Sequence, residues 1–84
     1  MTNLLEKREL LTNASYRYNF DREIYVNRSA RKVFSLEFIE DHGEDELRRL
    51  IQAENREGWS FYFNAAPSLS VKQALQREIE ALSA

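Results

Sequence analysis

The chain has 84 residues, with 12 lysines and arginines, 14 aspartates and glutamates, and a formal net charge of −2. This length is typical of one domain, and we predict a single domain over residues 1–84. A content of 43% hydrophobic and 12% aromatic residues excludes an intrinsically disordered chain, which has few aromatics. The chain has no cysteine, so neither disulfides nor thiolate-bound metals stabilise the fold, and we expect a cytoplasmic location.

No segment of the sequence is typical of a membrane span or an export signal. The longest apolar runs are residues 24–26 and 61–63, whereas a membrane-spanning helix needs about 20 apolar residues. Glu6, Lys7 and Arg8 occupy the region where a secretory signal would be apolar. We therefore predict no membrane association.

A short helix is predicted near the beginning of the chain. Asn3 and Glu6 have the spacing of a capping box, in which each side chain accepts a hydrogen bond from the other residue's backbone N–H. Leucines follow at positions 4, 5, 10 and 11, so the pattern predicts a helix from about Leu4 to Thr12.

Apolar residues recur at every second position after residue 15, which predicts a strand over residues 16–26. The same alternation predicts a second strand around residues 33–38, and the polar segment between them predicts a hairpin with a loose turn. The side chains expected to face the core are Tyr16, Tyr18, Phe20, Ile24, Val26, Phe34, Leu36 and Phe38. A rival interpretation ends the second strand at Phe34 and lets Ser35 cap a helical turn through Glu40. We favour the strand.

Two helices and one strand are predicted in the second half of the chain. Residues 41–44 have capping-box spacing ahead of an apolar stripe, so a helix should run to about Glu57 and end at Gly58 in the left-handed conformation. Alternating aromatics predict a strand over residues 59–63. Ser70 is expected to open a last helix. Its predicted apolar face comprises Val71, Ala74, Leu75, Ile79 and Leu82.

The predicted order is helix, strand, strand, helix, strand, helix. This order is typical of an α+β domain in which two or three helices pack on a three-stranded sheet, made of the hairpin and one further strand. If the third strand pairs in parallel beside the second, the helix between them should form a right-handed crossover.

His42, the only histidine, is the strongest candidate for acid–base chemistry or metal binding. Five carboxylates surround it in the sequence: Glu40, Asp41, Glu44, Asp45 and Glu46. No second histidine at i, i+4 and no spaced-aspartate calcium loop accompany it, and two isolated glycines cannot form a phosphate-binding loop. Carboxylates in a first helical turn also complement the helix dipole. We favour helix capping, and we predict no catalytic residues, no metal, no cofactor and no enzyme.

Basic residues and tyrosines are interleaved over the predicted hairpin, a mixture that contacts phosphates and stacks on bases. Residues 1–32 carry seven basic and four acidic side chains, whereas residues 33–84 carry five basic and ten acidic ones. Arg28, Arg31 and Lys32 at the predicted turn are therefore candidate nucleic-acid contacts. Basic side chains at a turn also keep an exposed sheet edge soluble, which is the simpler interpretation.

The opposite face of the predicted sheet carries a second set of apolar side chains. If Phe34 points into the main core, these residues point away from it: Tyr25, Val33, Ile39 and Tyr62. Either the first helix covers them or they form a contact patch. Our leading hypothesis is a small interaction or regulatory module that binds a protein partner or a second copy of itself through a sheet face or edge. Nucleic-acid binding by the basic hairpin is the alternative.

Overall fold

The structure is a computed structural model that describes residues 4–55, 58–65 and 67–81. Within these ranges the chain forms four helices and four strands. The elements in chain order are α1 (Leu4–Asn13), β1 (Arg17–Asn19), β2 (Ile24–Asn27), β3 (Lys32–Ser35), α2 (Leu36–Asp41), α3 (Glu44–Gln52), β4 (Ser60–Tyr62) and α4 (Leu69–Ala81). The predicted α+β class is confirmed, but the sheet has four strands where three were predicted. No helix in these ranges is long and apolar enough to cross a membrane.

The four strands form one mixed sheet in the order β1-β2-β3-β4. The pairs β1–β2 and β2–β3 are antiparallel, and β3–β4 is parallel. Tyr25 is the Cα partner of both Tyr18 and Phe34, and Phe34 is the partner of Tyr62. Side chains at paired positions lie on the same face of a sheet, so these four aromatic residues form a row across all four strands.

The single strand predicted over residues 16–26 is in fact two strands joined by a turn. The Asn19 side-chain oxygen accepts a hydrogen bond from the backbone N–H of Arg22 at 3.1 Å, an Asx-type contact that stabilises the reversal. Glu23 completes it with a φ of 53°. The alternation therefore does not continue across the turn, and Phe20, predicted to be buried, is 83% exposed.

Residues 36–41 form the helix α2, so the prediction of a strand through Phe38 was wrong and the rival interpretation was right. The Ser35 hydroxyl accepts a hydrogen bond from the backbone N–H of Phe38 at 3.1 Å, which caps the helix. The helix buries Ile39 beside Phe34 in the first core, whereas the strand would have placed it on the opposite face. Alternation over so few residues does not distinguish a strand from a short helix.

Helices cover both faces of the sheet. The helices α1, α2 and α3 pack on one face over the first core, formed by Leu11, Tyr16, Tyr25, Phe34, Ile39 and Leu47. The helix α4 packs on the other face over the second core, formed by Ile24, Val33, Leu75 and Ile79. Val33 and Phe34 are adjacent in β3 and both are fully buried, one in each core. The inner strand β3 is thus covered by helices on both faces of the sheet.

The remaining helix predictions agree in position with the structure, with differences at the ends. The predicted cap of α1 at Asn3 and Leu82 of the predicted apolar face of α4 lie outside the described residues. The helix α3 ends at Gln52, earlier than predicted, and Gly58 has the expected φ of 55° but lies in the connection to β4. The N-cap of α3 is Gly43, which makes no side-chain capping bond, in place of the predicted capping box.

The end of α1 directs the chain into the sheet. Ser15 has a φ of 72°, the backbone N–H of Tyr16 donates to the carbonyl of Leu11 at 3.0 Å, and that of Ser15 donates to Thr12 at 3.1 Å. This pair of bonds is a Schellman motif, and Tyr16 and Leu11 make the apolar contact that accompanies it in the first core. The motif fixes where β1 begins.

Candidate functional site

The contact patch predicted on the sheet is not an exposed surface. Tyr25, Val33 and Ile39 are each at most 3% exposed, and Tyr62 is half-buried. They also do not share a face, because Val33 belongs to the second core whereas the other three pack in or against the first. The prediction placed Tyr25 opposite Phe34, but the register pairs the two residues, so both point to the same side.

Lys32, predicted as a nucleic-acid contact, is a buried structural residue with 2% exposure. Its ammonium group donates hydrogen bonds to the carbonyls of Leu50 at 2.8 Å, Ile51 at 2.9 Å and Ala53. These carbonyls belong to the last turn of α3, where the helix itself supplies no donors. Burial lowers the pKa of Lys32, because water no longer solvates its charge, and the three carbonyls replace part of that solvation.

Arg28 and Arg31, the other two predicted contacts, lie in the turn between β2 and β3 and are exposed. The backbone N–H of Arg31 donates to the carbonyl of Arg28 at 3.2 Å, which closes the turn. The Asn55 side-chain amide donates to the carbonyls of Ala30 and Arg31, at 3.1 and 2.8 Å, and ties the turn to the segment that precedes β4. The structure therefore separates Lys32 from the two arginines and holds the arginines at the surface.

A groove of about 1000 Å³ lies beside the β1 edge of the sheet, and we call it the β1 groove. The residues that shape it include Arg17, Asn19, Val26, Asn27, Arg28 and Ile79. Arg17 is the Cα partner of Val26, which packs against the second core, so Arg17 lies on the same face as α4. The groove is thus the part of this face that α4 leaves accessible next to β1.

Two unpaired arginines give the β1 groove a positive charge. Neither Arg17 nor Arg28 makes a side-chain hydrogen bond or ion pair with any residue that the structure describes. Among the described residues that line the groove there is no aspartate or glutamate. Other arginines are engaged. Arg22 pairs with Glu78 at 2.9 Å, and Arg8 donates to the Tyr25 hydroxyl at 2.7 Å. Arg17 and Arg28 are therefore free to bind an anion.

The outer edge of β1 is the second feature of this region. No other described strand pairs with that edge, since β1 is the first strand in the sheet order. An edge strand presents unpaired backbone N–H and C=O groups. Tyr18 of β1 lies on the other face, and its ring makes an edge-to-face contact with the exposed ring of Phe20, with 4.9 Å between the centroids.

Three of the five carboxylates around His42 make helix or loop contacts. Glu44 pairs with Arg48 at 2.5 Å, Glu46 with Arg49 at 2.6 Å, and the Asp41 carboxylate accepts from the Asn64 amide at 2.6 Å. The hydrogen bond from Arg49 is the main cause that lowers the pKa of Glu46.

His42 itself packs against its own helix. Its ring stacks on Phe38 with 3.7 Å between the centroids, and Nδ1 lies 2.8 Å from the Phe38 carbonyl. Among the described residues there is no group of three or more histidine, aspartate or glutamate side chains that could hold a metal ion. The acidic segment thus forms ion pairs along α3, whereas a side-chain capping bond at the start of that helix is absent.

Sequence reasoning did not identify Arg17 as a site residue or detect the groove. Arg17 is one of the basic residues of the predicted hairpin. The single strand predicted over residues 16–26 did not include the turn that follows Asn19, so Arg17 was not placed at a sheet edge. The Asn19 to Arg22 spacing is the signal that could have revealed the turn, because asparagine side chains often stabilise reversals in this way. The contribution of Ile79 to the groove depends on the packing of α4 and has no local signal.

Comparisons with known proteins identify no relative: no family model, no curated protein and no solved structure matches the chain. No relative therefore indicates a function, which has to be inferred from the geometry of the β1 groove and the outer edge of β1.

The role of Lys32 is testable by removing its charge while keeping its length. The substitution Lys32→Met deletes three charged hydrogen bonds to buried carbonyls, and we expect the free energy of unfolding to fall by about 2–4 kcal/mol. Arg28→Met, at the exposed residue that directly follows β2, should change it by less than about 0.5 kcal/mol. Urea unfolding followed by circular dichroism measures both. Equal values for the two variants would refute the structural role of Lys32.

Proposed function

We propose that the protein is a small interaction module that binds an extended segment of a partner protein along the open edge of β1. The observation that carries the proposal is the coincidence, in one region, of an unpaired strand edge and a groove with two unengaged arginines. An extended peptide that pairs with a sheet edge gains main-chain hydrogen bonds from the strand and side-chain specificity from adjoining pockets.

The closure of both sheet faces supports the edge as the binding element. The first and second cores bury Tyr25, Phe34, Ile24 and Val33 of β2 and β3, so these apolar side chains are not available to a partner. The edge of β1 is only three residues long and carries the charged Arg17, features that prevent uncontrolled sheet-to-sheet association. A binding segment would thus be short, with its affinity supplemented by the groove.

The proposal includes a cytoplasmic location. A chain without cysteine needs no oxidising compartment to fold, which is typical of proteins of a reducing compartment.

Nuclear magnetic resonance of the isotopically labelled protein tests the proposal. Three decapeptides with the same alternating valines would carry glutamate, glutamine or lysine at the remaining positions. At least one should shift the backbone amide signals of residues 17–19, because strand pairing changes their hydrogen bonding. A control peptide with proline in place of every second residue lacks the required N–H groups and should leave these signals unchanged. If none of the three peptides shifts the β1 signals, the proposal is wrong.

Nucleic-acid binding is a second candidate, favoured by the exposure of Arg28 and Arg31 in one turn. The burial of Lys32 removes one of the three predicted phosphate contacts, and the net charge of −2 opposes a long polyanion. Replacing both arginines by glutamine should abolish any oligonucleotide binding while leaving the fold intact. Fluorescence anisotropy with a labelled single-stranded oligonucleotide at low salt measures this. No binding by the unmodified protein eliminates the candidate.

A further inference from the structure

We infer that the partner segment pairs with the backbone of Tyr18 in antiparallel orientation, and that it carries an apolar residue followed directly by an acidic one. This inference rests on the proposed function, because it assigns the register and the chemistry of the segment that pairs with β1. It is carried by the hydrogen-bonding pattern of the sheet and by the different side chains that β1 presents on its two faces.

The hydrogen bonds between β2 and β3 determine which backbone groups of β1 face outward. The backbone N–H of Leu36 donates to the carbonyl of Glu23 at 2.9 Å, and these two residues continue the register of β2 and β3, so they form a hydrogen-bonded pair. Hydrogen-bonded and non-bonded pairs alternate along an antiparallel ladder. The backbone groups of Tyr25, two residues after Glu23, therefore also face β3, whereas those of Ile24 and Val26 face β1.

The same alternation leaves Tyr18 open to a partner. Tyr18 is the Cα partner of Tyr25, so its N–H and C=O point away from β2, whereas those of its two neighbours bond to β2. Two residues earlier, the N–H of Tyr16 points to the same side, but it already donates to the carbonyl of Leu11 in α1. Within the described residues of β1, Tyr18 is thus the position at which both backbone groups face outward.

A single open residue favours an antiparallel partner. In an antiparallel hydrogen-bonded pair, one partner residue bonds to both the N–H and the C=O of Tyr18. In a parallel pair, the same two groups bond to the residues before and after the one across from Tyr18, and the bonds are slanted. An antiparallel segment therefore forms the same two hydrogen bonds while it orders fewer residues, which lowers the entropic cost of binding.

The partner residue across from Tyr18 lies on an aromatic face of β1. Paired side chains share a face of the sheet, so this residue points to the side of the Tyr18 ring. The Phe20 ring contacts Tyr18 edge to face and is 83% exposed. The guanidinium of Arg8 lies 4.7 Å from the centroid of the Tyr18 ring and packs that ring against α1. An apolar side chain at this position would bury part of the exposed aromatic surface.

The next residue of an antiparallel segment lies across from Arg17. It points to the opposite face, where Arg17 lines the β1 groove without a partner among the described residues. A guanidinium binds a carboxylate through two parallel hydrogen bonds. The preceding residue of the segment lies across from Asn19, a neutral amide whose oxygen accepts from Arg22. The order apolar, then acidic, therefore matches Tyr18 and Arg17 in antiparallel pairing.

A second copy of this chain does not supply this order. Pairing of two β1 strands through Tyr18 would place Asn19 of each copy across from Arg17 of the other. The two Arg17 side chains would then lie diagonally on one face, where like charges repel each other. The segment thus belongs to a different protein.

Two threonine-flanked peptides of equal composition test the order, one with the central pair Phe-Glu and the other with Glu-Phe. In a nuclear magnetic resonance titration at low salt, we expect Phe-Glu to bind about threefold more tightly, because only this order places the glutamate across from Arg17. The variant Arg17→Gln should lose this preference. Arg77→Gln is the matched control, since Arg77 is an exposed arginine on α4 that is not among the residues lining the groove.

Methylation of single backbone nitrogens in the Phe-Glu peptide tests the register. An N-methyl group on the phenylalanine removes the N–H that donates to the Tyr18 carbonyl, so we expect loss of the Tyr18 amide shift and at least about tenfold weaker binding. The glutamate N–H points away from β1, so its methylation should weaken binding by less than about twofold. Equal weakening by the two modifications would overturn the register.

The outcomes separate this inference from the proposed function. Equal affinities for the two orders, tighter binding of Glu-Phe, or a preference that persists in Arg17→Gln would overturn the inferred motif and leave edge binding intact. Absence of β1 shifts with every peptide would overturn both. A Tyr18 shift that depends on protein concentration without any peptide would overturn the peptide partner in favour of a second copy, and tighter binding of a single-stranded oligonucleotide at Arg17 would overturn it in favour of nucleic acid.

Discussion

The enclosure of β3 between two helical layers is the constraint on which the rest of the structure depends. Val33 and Phe34 point to opposite faces and are both fully buried, so helices must cover both sides of the sheet. The helices α1 to α3 bury Phe34, and α4 buries Val33. Because helices cover most of both faces, the edges of the sheet remain as places where a partner can bind. The β1 groove lies at one of these edges.

Lys32 shows how a basic residue at the end of a strand can serve the fold. Lys32 is the first residue of β3, and its side chain is buried. Its ammonium group donates hydrogen bonds to carbonyls at the end of α3. The contact holds the C-terminal end of α3, including the carbonyl of its C-cap residue Ala53, against the sheet. Arg28 and Arg31 lie in the turn that precedes Lys32 and remain at the surface, whereas Lys32 is the first residue of β3. Position relative to α3 therefore decides which basic side chain is structural.

Local patterns predicted the elements that depend on local interactions. The spacing of leucines gave α1, the alternating aromatics gave β4, and the stripe containing Leu75 and Ile79 gave α4. The prediction failed where a side chain redirected the backbone, as Asn19 does at the β1–β2 turn and Ser35 does at the start of α2. Both failures reversed the assignment of side chains to faces. Arg28 was among the predicted site residues, but the β1 groove was not predicted, because the packing of α4 brings Ile79 next to residues distant in sequence.

Native-state hydrogen exchange tests the central claim, that the faces are closed and the β1 edge is open. The amides of Val33 and Phe34 should exchange only through global unfolding, with an opening free energy equal to that from urea denaturation. At least one amide among residues 17–19, the one pointing away from β2, should exchange close to the rate of an unstructured chain. If all three β1 amides are protected as strongly as that of Phe34, the edge is covered and the account is contradicted.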